Sequence, residues 1–189
     1  MNTQQKIIEA AISVLNDNFS ATLEDIAIHC GLNRRTLHRY FKSRNELLEA
    51  CNKTMMEAWE LAAIKACNSS EDPLVQLEQL LYAGIDSGTK YAFLIKLNDT
   101  RKSSSILHES EQSAVYFKTR DQLFDAIQRL QKEQVIDSQF PLPWIRILFT
   151  SVITATIMAF RSGDIAQNEV KKLAWTSFSR SIGLQISKK

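Results

Sequence analysis

The sequence predicts an all-α protein, and three features lead to that prediction. Only five glycines and three prolines occur among 189 residues, whereas these turn-forming residues make up roughly 12% of an average chain. The residues that fill the long stretches between them, mainly Ala, Leu, Glu, Gln and Lys, favour helix. Apolar residues also recur at three- and four-residue intervals, which is the period of an amphipathic helix.

The first two helices can be placed from their caps and breakers. The first is expected over Thr3–Asn16, where apolar residues form a single stripe. Thr22 starts the second helix, because Asp25 follows three residues later in the pattern of a capping box. Gly31 ends that helix, since glycine tolerates the left-handed conformation beyond a helix C-terminus.

The remaining helices follow from similar signals. Asn33 caps a short third helix over Arg34–Tyr40. Ser43 caps a fourth, which has no breaker before Asn68. Later helices are expected near 72–87, 89–98, 106–134, 142–162 and 167–186, which makes about nine in all.

Positive charge is concentrated in one short segment. The net charge is only +2, but residues 33–44 contain no acid and include Arg34, Arg35, Arg39, Lys42 and Arg44. A local basic patch on an otherwise balanced chain indicates one surface for an anionic partner such as nucleic acid.

The second and third helices have the pattern of a helix-turn-helix, because the tight turn Cys30-Gly31-Leu32-Asn33 joins them. The third helix would be anchored by Leu37 and would enter the major groove of double-stranded DNA. Arginine donates well to guanine O6 and N7, so the first half of this helix is expected to reach base edges or phosphates. The residues predicted to contact DNA are Thr22, Asn33, Arg34, Arg35, Thr36, His38, Arg39, Tyr40, Lys42 and Arg44.

The stretch from Ile7 to Ala50 resembles the tetracycline-repressor (TetR) family of transcriptional regulators. The resemblance rests on the spacing of Thr22, Asp25-Ile26-Ala27, Gly31-Leu32, Thr36-Leu37-His38-Arg39-Tyr40-Phe41 and Ser43-Arg44-Asn45-Glu46-Leu47. Asn33, Arg35 and His38 depart from the residues usual in the family, so no operator sequence carries over from a relative.

The resemblance implies two domains with separate tasks. Residues 1–48 would form the helix-turn-helix domain, and residues 49–189 a ligand-sensing and dimerisation domain. A mostly apolar pocket for a small apolar or amphipathic ligand would lie in the second domain. The aromatic residues predicted to line it are Trp59, Tyr82, Tyr91, Phe93, Phe117 and Phe124.

The last two helices resemble the surface through which the family forms homodimers. Two such helices from each subunit would make a four-helix bundle, and a dimer would recognise a near-palindromic operator. The residues predicted at this surface are Leu148, Val152, Ala155, Ala174, Ser177 and Ser181. The implied mechanism is a repressor that a ligand releases from its operator.

Two other classes of function remain to be weighed. One alternative is a DNA-bound scaffold that has the same helix-turn-helix but no small-molecule effector. A filled core in the second domain would favour the scaffold, and an enclosed apolar pocket would favour the ligand sensor. An enzyme is disfavoured, because the sequence has no Gly-rich phosphate loop, His-Glu-x-x-His, Cys-x-x-Cys or Glu-x-x-His pair, so no metal or cofactor is expected.

Cysteine usage and hydropathy predict a cytoplasmic protein. Cys30, Cys51 and Cys67 are odd in number and have no paired spacing, which argues against disulfides. No signal peptide is visible at the N-terminus. The apolar run Ile147–Phe160 is shorter than the roughly 20 residues that a membrane span needs, so it is predicted as a buried core helix.

Overall fold

A computed structural model of the chain confirms the all-α prediction. It describes residues 2–93 and 114–184, with the backbone alone at 114–120, 122 and 123. Within these ranges there are eight helices and no strand. They are α1 (Thr3–Asp17), α2 (Leu23–His29), α3 (Arg34–Tyr40), α4 (Arg44–Cys67), α5 (Pro73–Lys90), α6 (Ala114–Lys132), α7 (Leu142–Ser162) and α8 (Gln167–Ser181). The predicted helix over 89–98 and the start of the one over 106–134 lie mostly outside the described residues.

The predicted helix caps are confirmed. The Thr22 side chain accepts a hydrogen bond from the Asp25 amide, and the Asp25 carboxylate accepts one from the Thr22 amide, which completes the capping box. The Asn33 side chain accepts from the Thr36 amide at 2.8 Å and so begins α3. Gly31 has a φ of +68°, the left-handed conformation expected after α2.

The chain forms two compact units, and the first comprises Met1–Ala58 and Lys90–His108. The apolar stripe of α1 forms its core together with residues from α2, α3 and the start of α4. Fully buried members of this core are Ile7, Ala11, Leu15, Ile26, Leu37 and Leu47. The division from the second unit falls within α4, after Ala58, ten residues beyond the boundary predicted at residue 48. No breaker marks it, because the helix is continuous.

The second unit comprises Trp59–Thr89 and Glu109–Lys189, and its core lies among α5, α6, α7 and α8. The rings of Phe149 and Phe178 meet edge to face with centroids 5.5 Å apart. Gly84 and Gly88 let α5 approach α7 closely: a Cβ at Gly88 would lie 2.8 Å from Cγ2 of Ile153. Small residues one turn apart on α5 therefore provide the space that Ile153 occupies.

The apolar helix α7 differs from the prediction that it is a buried core helix. Ile145 and Phe149 are buried on one side, but only 22% of its most apolar window is buried within the chain. Its 21 residues are long and apolar enough to cross a membrane by length and composition alone. One side of α7 packs against the core of the second unit, while Trp144, Ile147 and Met158 are exposed on the other. An apolar stripe on each side leaves α7 with a surface that the described part of the chain does not cover.

Candidate DNA-binding surface

The turn between α2 and α3 fixes the geometry of the helix-turn-helix. The Gly31 amide donates to the Ile28 carbonyl at 3.0 Å, and the Leu32 amide reaches back to the Ala27 carbonyl at 2.9 Å. Leu37 is fully buried and anchors α3 against the core. These contacts leave the opposite side of α3 free for a partner, as the sequence predicts.

That free side of α3 carries the basic residues. Arg34, Arg35 and Arg39 are exposed, while Thr36 and His38 are half-buried beside them. Arg35 makes no ion pair or hydrogen bond with the described part of the chain, so its guanidinium is available to a ligand. The predicted residues Arg34, Arg35, Thr36, His38 and Arg39 therefore lie together on α3.

Arg34 is held by two neighbours. Its Nε donates to Nε2 of His38 at 3.4 Å, and its Nη1 lies 3.8 Å from a carboxylate oxygen of Glu24 on α2. Both contacts are exposed, so they are weak and exchangeable. Glu24 was not predicted as part of this surface, because the angle between α2 and α3 that brings the two residues together cannot be taken from local sequence.

Tyr40 and Lys42 lie at the C-terminal end of α3. Hydrogen bonds with Thr3 and Arg39 lower the pKa of the Tyr40 hydroxyl, and the Arg39 guanidinium lies 5.3 Å from the centre of its ring. Tyr40 therefore contacts the start of α1 through Thr3. Lys42 is exposed just after the helix, where a phosphate contact is sterically open.

Arg44 requires a correction. The sequence predicts that it contacts phosphate, but its guanidinium points into the first unit. Its Nη2 donates to the Phe19 carbonyl, its Nε donates to the Ala21 carbonyl at 3.3 Å, and it lies 5.0 Å from the centre of the Phe19 ring. The turn between α1 and α2 has carbonyls without helical partners, and Arg44 satisfies two of them. The start of α4 is capped by Ser43, whose hydroxyl accepts from the Glu46 amide.

Comparison with known proteins finds similar regulators. Residues 7–51 match the bacterial regulatory proteins of the tetR family. The HTH-type transcriptional repressor LfrR of Mycolicibacterium smegmatis (strain ATCC 700084 / mc(2)155) is 28% identical over 182 residues, which cover 95% of this chain and 90% of that protein. Both matches are to bacterial regulators: the family match covers the helix-turn-helix, and the similarity to LfrR extends along nearly the whole chain.

Solved structures share the fold of this chain along nearly its whole length. The TetR-like regulator LfrR from Mycobacterium smegmatis, in complex with proflavine, has a TM-score of 0.73 at 24% identity and covers 95% of this chain and 96% of its own. The ketosteroid transcriptional regulator KstR2 of Mycobacterium tuberculosis has a TM-score of 0.76 at 14% identity, covering 96% and 94%. These likenesses show that the chain shares the fold of these regulators.

The predicted ligand residues do not form one cluster. Tyr91 and Phe93 are 3% and 0% exposed and lie in the core of the first unit, so their placement in a pocket of the second domain was wrong. The chain enters the first unit at Lys90, and no local pattern reveals that change. The Phe117 side chain lies outside the described residues.

The other predicted ligand residues, Trp59, Tyr82 and Phe124, are half-buried in the second unit. The Tyr82 hydroxyl donates to Glu78 at 2.6 Å, and burial together with that carboxylate raises the pKa of Tyr82. A separate depression of about 450 Å³ is open and polar, and its lining consists of Cys67, Asn68, Ser70, Glu71, Gln76 and Arg129.

The predicted dimer residues divide by exposure. Ala155, Ser177 and Ser181 are exposed, and Leu148 and Val152 are half-buried. Ala174 is only 5% exposed and packs in the core of the second unit, so its prediction as a surface residue was wrong. Its neighbour Leu173 is 48% exposed and lies one turn before Ser177, on the same outer face of α8.

Proposed function

We propose that this protein is a homodimeric, cytoplasmic repressor that binds a near-palindromic operator and releases it when a small apolar or amphipathic molecule binds the second unit. The observation that carries the proposal is the exposed side of α3, where Arg34, Arg35 and Arg39 project from a helix anchored by Leu37. The relative LfrR is a transcriptional repressor, which supports repression rather than activation for this protein.

The uncovered face of α7 supports the homodimer. Trp144, Ile147 and Met158 are 48%, 47% and 68% exposed, and they recur at helical spacing on one side of α7 together with Ser151 and Ala155. A contiguous apolar face of this kind indicates a protein partner. A second copy is the partner that fits, because a short recognition helix reads too few base pairs to select one site alone.

The proposed ligand would act by preferring one of two conformations. It can shift the equilibrium only by the difference between its affinities for the DNA-bound and DNA-free forms. Half-buried aromatic side chains at Trp59, Tyr82 and Phe124 offer stacking surfaces in the second unit. LfrR has been crystallised with proflavine, a planar aromatic cation, which makes proflavine a reasonable first probe.

One observation favours the scaffold without an effector. The depression described beside Cys67 and Arg129 is open and polar, unlike the enclosed apolar pocket that a sensor of apolar ligands needs. Calorimetric titration of the DNA-free protein with proflavine separates the two functions: saturable binding supports the sensor, and the absence of saturable binding supports the scaffold.

The test of DNA binding is selection of bound sequences from a random duplex pool by the full chain. We expect a near-palindrome whose half-site centres are about 34–36 Å apart, or a multiple of that distance. Binding should weaken steeply with salt as counterions are released. The variant R34A/R35A should keep its helix content and enrich no site. Salt-independent binding without sequence enrichment would refute the proposal.

A further inference from the structure

Asn16, in the last turn of α1, makes two hydrogen bonds to a segment far away in sequence. Its Nδ2 donates to the Lys90 carbonyl at 2.7 Å, and its Oδ1 accepts from the Phe93 amide at 3.0 Å. An asparagine side chain suits this arrangement, because it presents a donor and an acceptor side by side. One side chain thus holds the backbone on both sides of Tyr91 and Ala92.

The held segment is the point where the chain passes from the second unit into the first. Thr89 belongs to the second unit and Lys90 to the first. Tyr91, Ala92 and Phe93 are all at most 5% exposed, and Tyr91 and Phe93 pack in the same core as α1 and α3. The segment is therefore part of the DNA-binding unit, although α5, which leads into it, belongs to the other unit.

From Asn16 a continuous set of contacts leads to the helix-turn-helix. α1 ends at Asp17, and the following turn contains Phe19 and Ala21, whose carbonyls accept hydrogen bonds from Arg44 at the start of α4. Thr22, which caps α2, is the next residue. A displacement of the segment that Asn16 holds would act on the end of α1 and on this turn.

We propose that Asn16 is a positioning residue that couples the state of α5 to the DNA-binding surface by fastening Lys90–Phe93 to the end of α1. The inference rests on the proposed function, since it concerns how DNA binding and ligand sensing communicate. Coupling between two sites is reciprocal. Operator binding at α3 must then alter the end of α5 through Asn16, and this effect can be measured without knowing the natural ligand.

The experiment is amide hydrogen exchange on the full chain, free and bound to the selected operator duplex. In the unaltered protein we expect operator-dependent protection both in α3 and over residues 85–93. In N16A, protection of α3 should remain, protection over 85–93 should be lost, and the Phe93 amide of the free protein should exchange about two- to tenfold faster, as expected for one lost hydrogen bond.

Two further variants make the test specific. N16D keeps the acceptor for the Phe93 amide but replaces the donor to Lys90 with a carboxylate that repels that carbonyl; it should leave the Phe93 amide slow and still lose operator-dependent protection at Lys90. The N16D variant therefore provides a test even if N16A does not fold. N18A is the matched control, because among the described residues the Asn18 side chain bonds to the Ser20 amide at 3.0 Å, two positions away, and the variant should behave as the unaltered protein.

Each outcome decides the question. Operator-dependent protection over 85–93 that persists in N16A or N16D would overturn the coupling role, as would its absence from the unaltered protein when α3 is protected. Failure of the duplex to protect α3 in the unaltered protein would overturn the proposed function, and this inference with it.

Discussion

Arg44 is part of the basic segment 33–44 by sequence, but its contacts lie within the first unit. Its guanidinium bonds the carbonyls of Phe19 and Ala21 and covers the Phe19 ring. We expect R44A to lower the free energy of unfolding by about 1–3 kcal/mol, because two carbonyls lose a charged donor. Urea unfolding measures this change. R35A, at an exposed position, is the control and should stay within about 0.5 kcal/mol of the unaltered protein.

The same pair of variants also tests the phosphate role first predicted for Arg44. If R44A unfolds at the same urea concentration as the unaltered protein but binds every DNA sequence more weakly, Arg44 is a phosphate ligand and the correction fails. Stability and affinity must therefore be measured on the same preparation.

We expect Arg35 to contact base edges and Lys42 to contact the phosphate backbone, and two single substitutions distinguish these roles. Arg35 is exposed in the first turn of α3, and Lys42 is exposed beyond its end. R35A should cost about 1–3 kcal/mol on the selected site and relax preference at one or two base pairs. K42A should weaken all sequences alike and reduce the salt slope by about 1. Fluorescence titrations on the selected and scrambled duplexes measure both; equal uniform losses would show that Arg35 also contacts phosphate.

Local chemistry explains which residue roles the sequence could predict. Thr22 and Asn33 cap helices through partners three residues away, so a short pattern is sufficient. Arg44 bonds residues 23 and 25 positions earlier, and Asn16 bonds residues 74 and 77 positions later. Those roles depend on tertiary packing, which no local spacing encodes.

The ends of a helix depend on local residues, whereas its orientation towards the core depends on distant ones. Proline and glycine mark the ends of α7, which spans Leu142–Ser162 as predicted. It was harder to predict which side of α7 faces the core. Apolar residues occur on most sides of this helix, so its hydrophobicity shows only a weak helical period. The predicted dimer residues included Val152, which is half-buried and packs against the core of the second unit, together with Ala155, which is exposed.

The contact of α5 with α7 gives a prediction on the packing of two helices. Replacing a helical glycine by alanine is normally favourable by about 0.5–1 kcal/mol. At Gly88 a Cβ would lie 2.8 Å from Cγ2 of Ile153 and 3.2 Å from Cδ1 of Ile157. Overpacking costs about 1–3 kcal/mol, so we expect G88A to lower the thermal midpoint, which circular dichroism follows.

A double-mutant cycle identifies the cause of that loss. I153A removes Cγ2 of Ile153 and destabilises the core by itself, but G88A should cost less in the I153A background than alone. A G88A variant that melts at or above the unaltered midpoint would show that the two helices separate without penalty.

At the scale of the whole molecule, the proposal that two copies pair rests on the apolar face of α7 that is exposed among the described residues. The four-helix bundle predicted from sequence used Ala174, but a charge there would disrupt the subunit core rather than a dimer, because Ala174 is 5% exposed. Ile147 and Met158, at 47% and 68% exposed, accept a charge without disturbing the fold of one subunit.

We therefore predict that I147E/M158E sediments as a monomer with unchanged helix content and binds the selected operator much more weakly than the unaltered protein. Burying carboxylates without partners between two copies of α7 is strongly unfavourable, and a monomer presents one recognition helix to one half-site. A matched pair at exposed polar positions of α1, Q4E/S13E, should remain dimeric. If I147E/M158E sediments as a dimer with full operator affinity, the pairing surface lies elsewhere, and the apolar face of α7 has another partner.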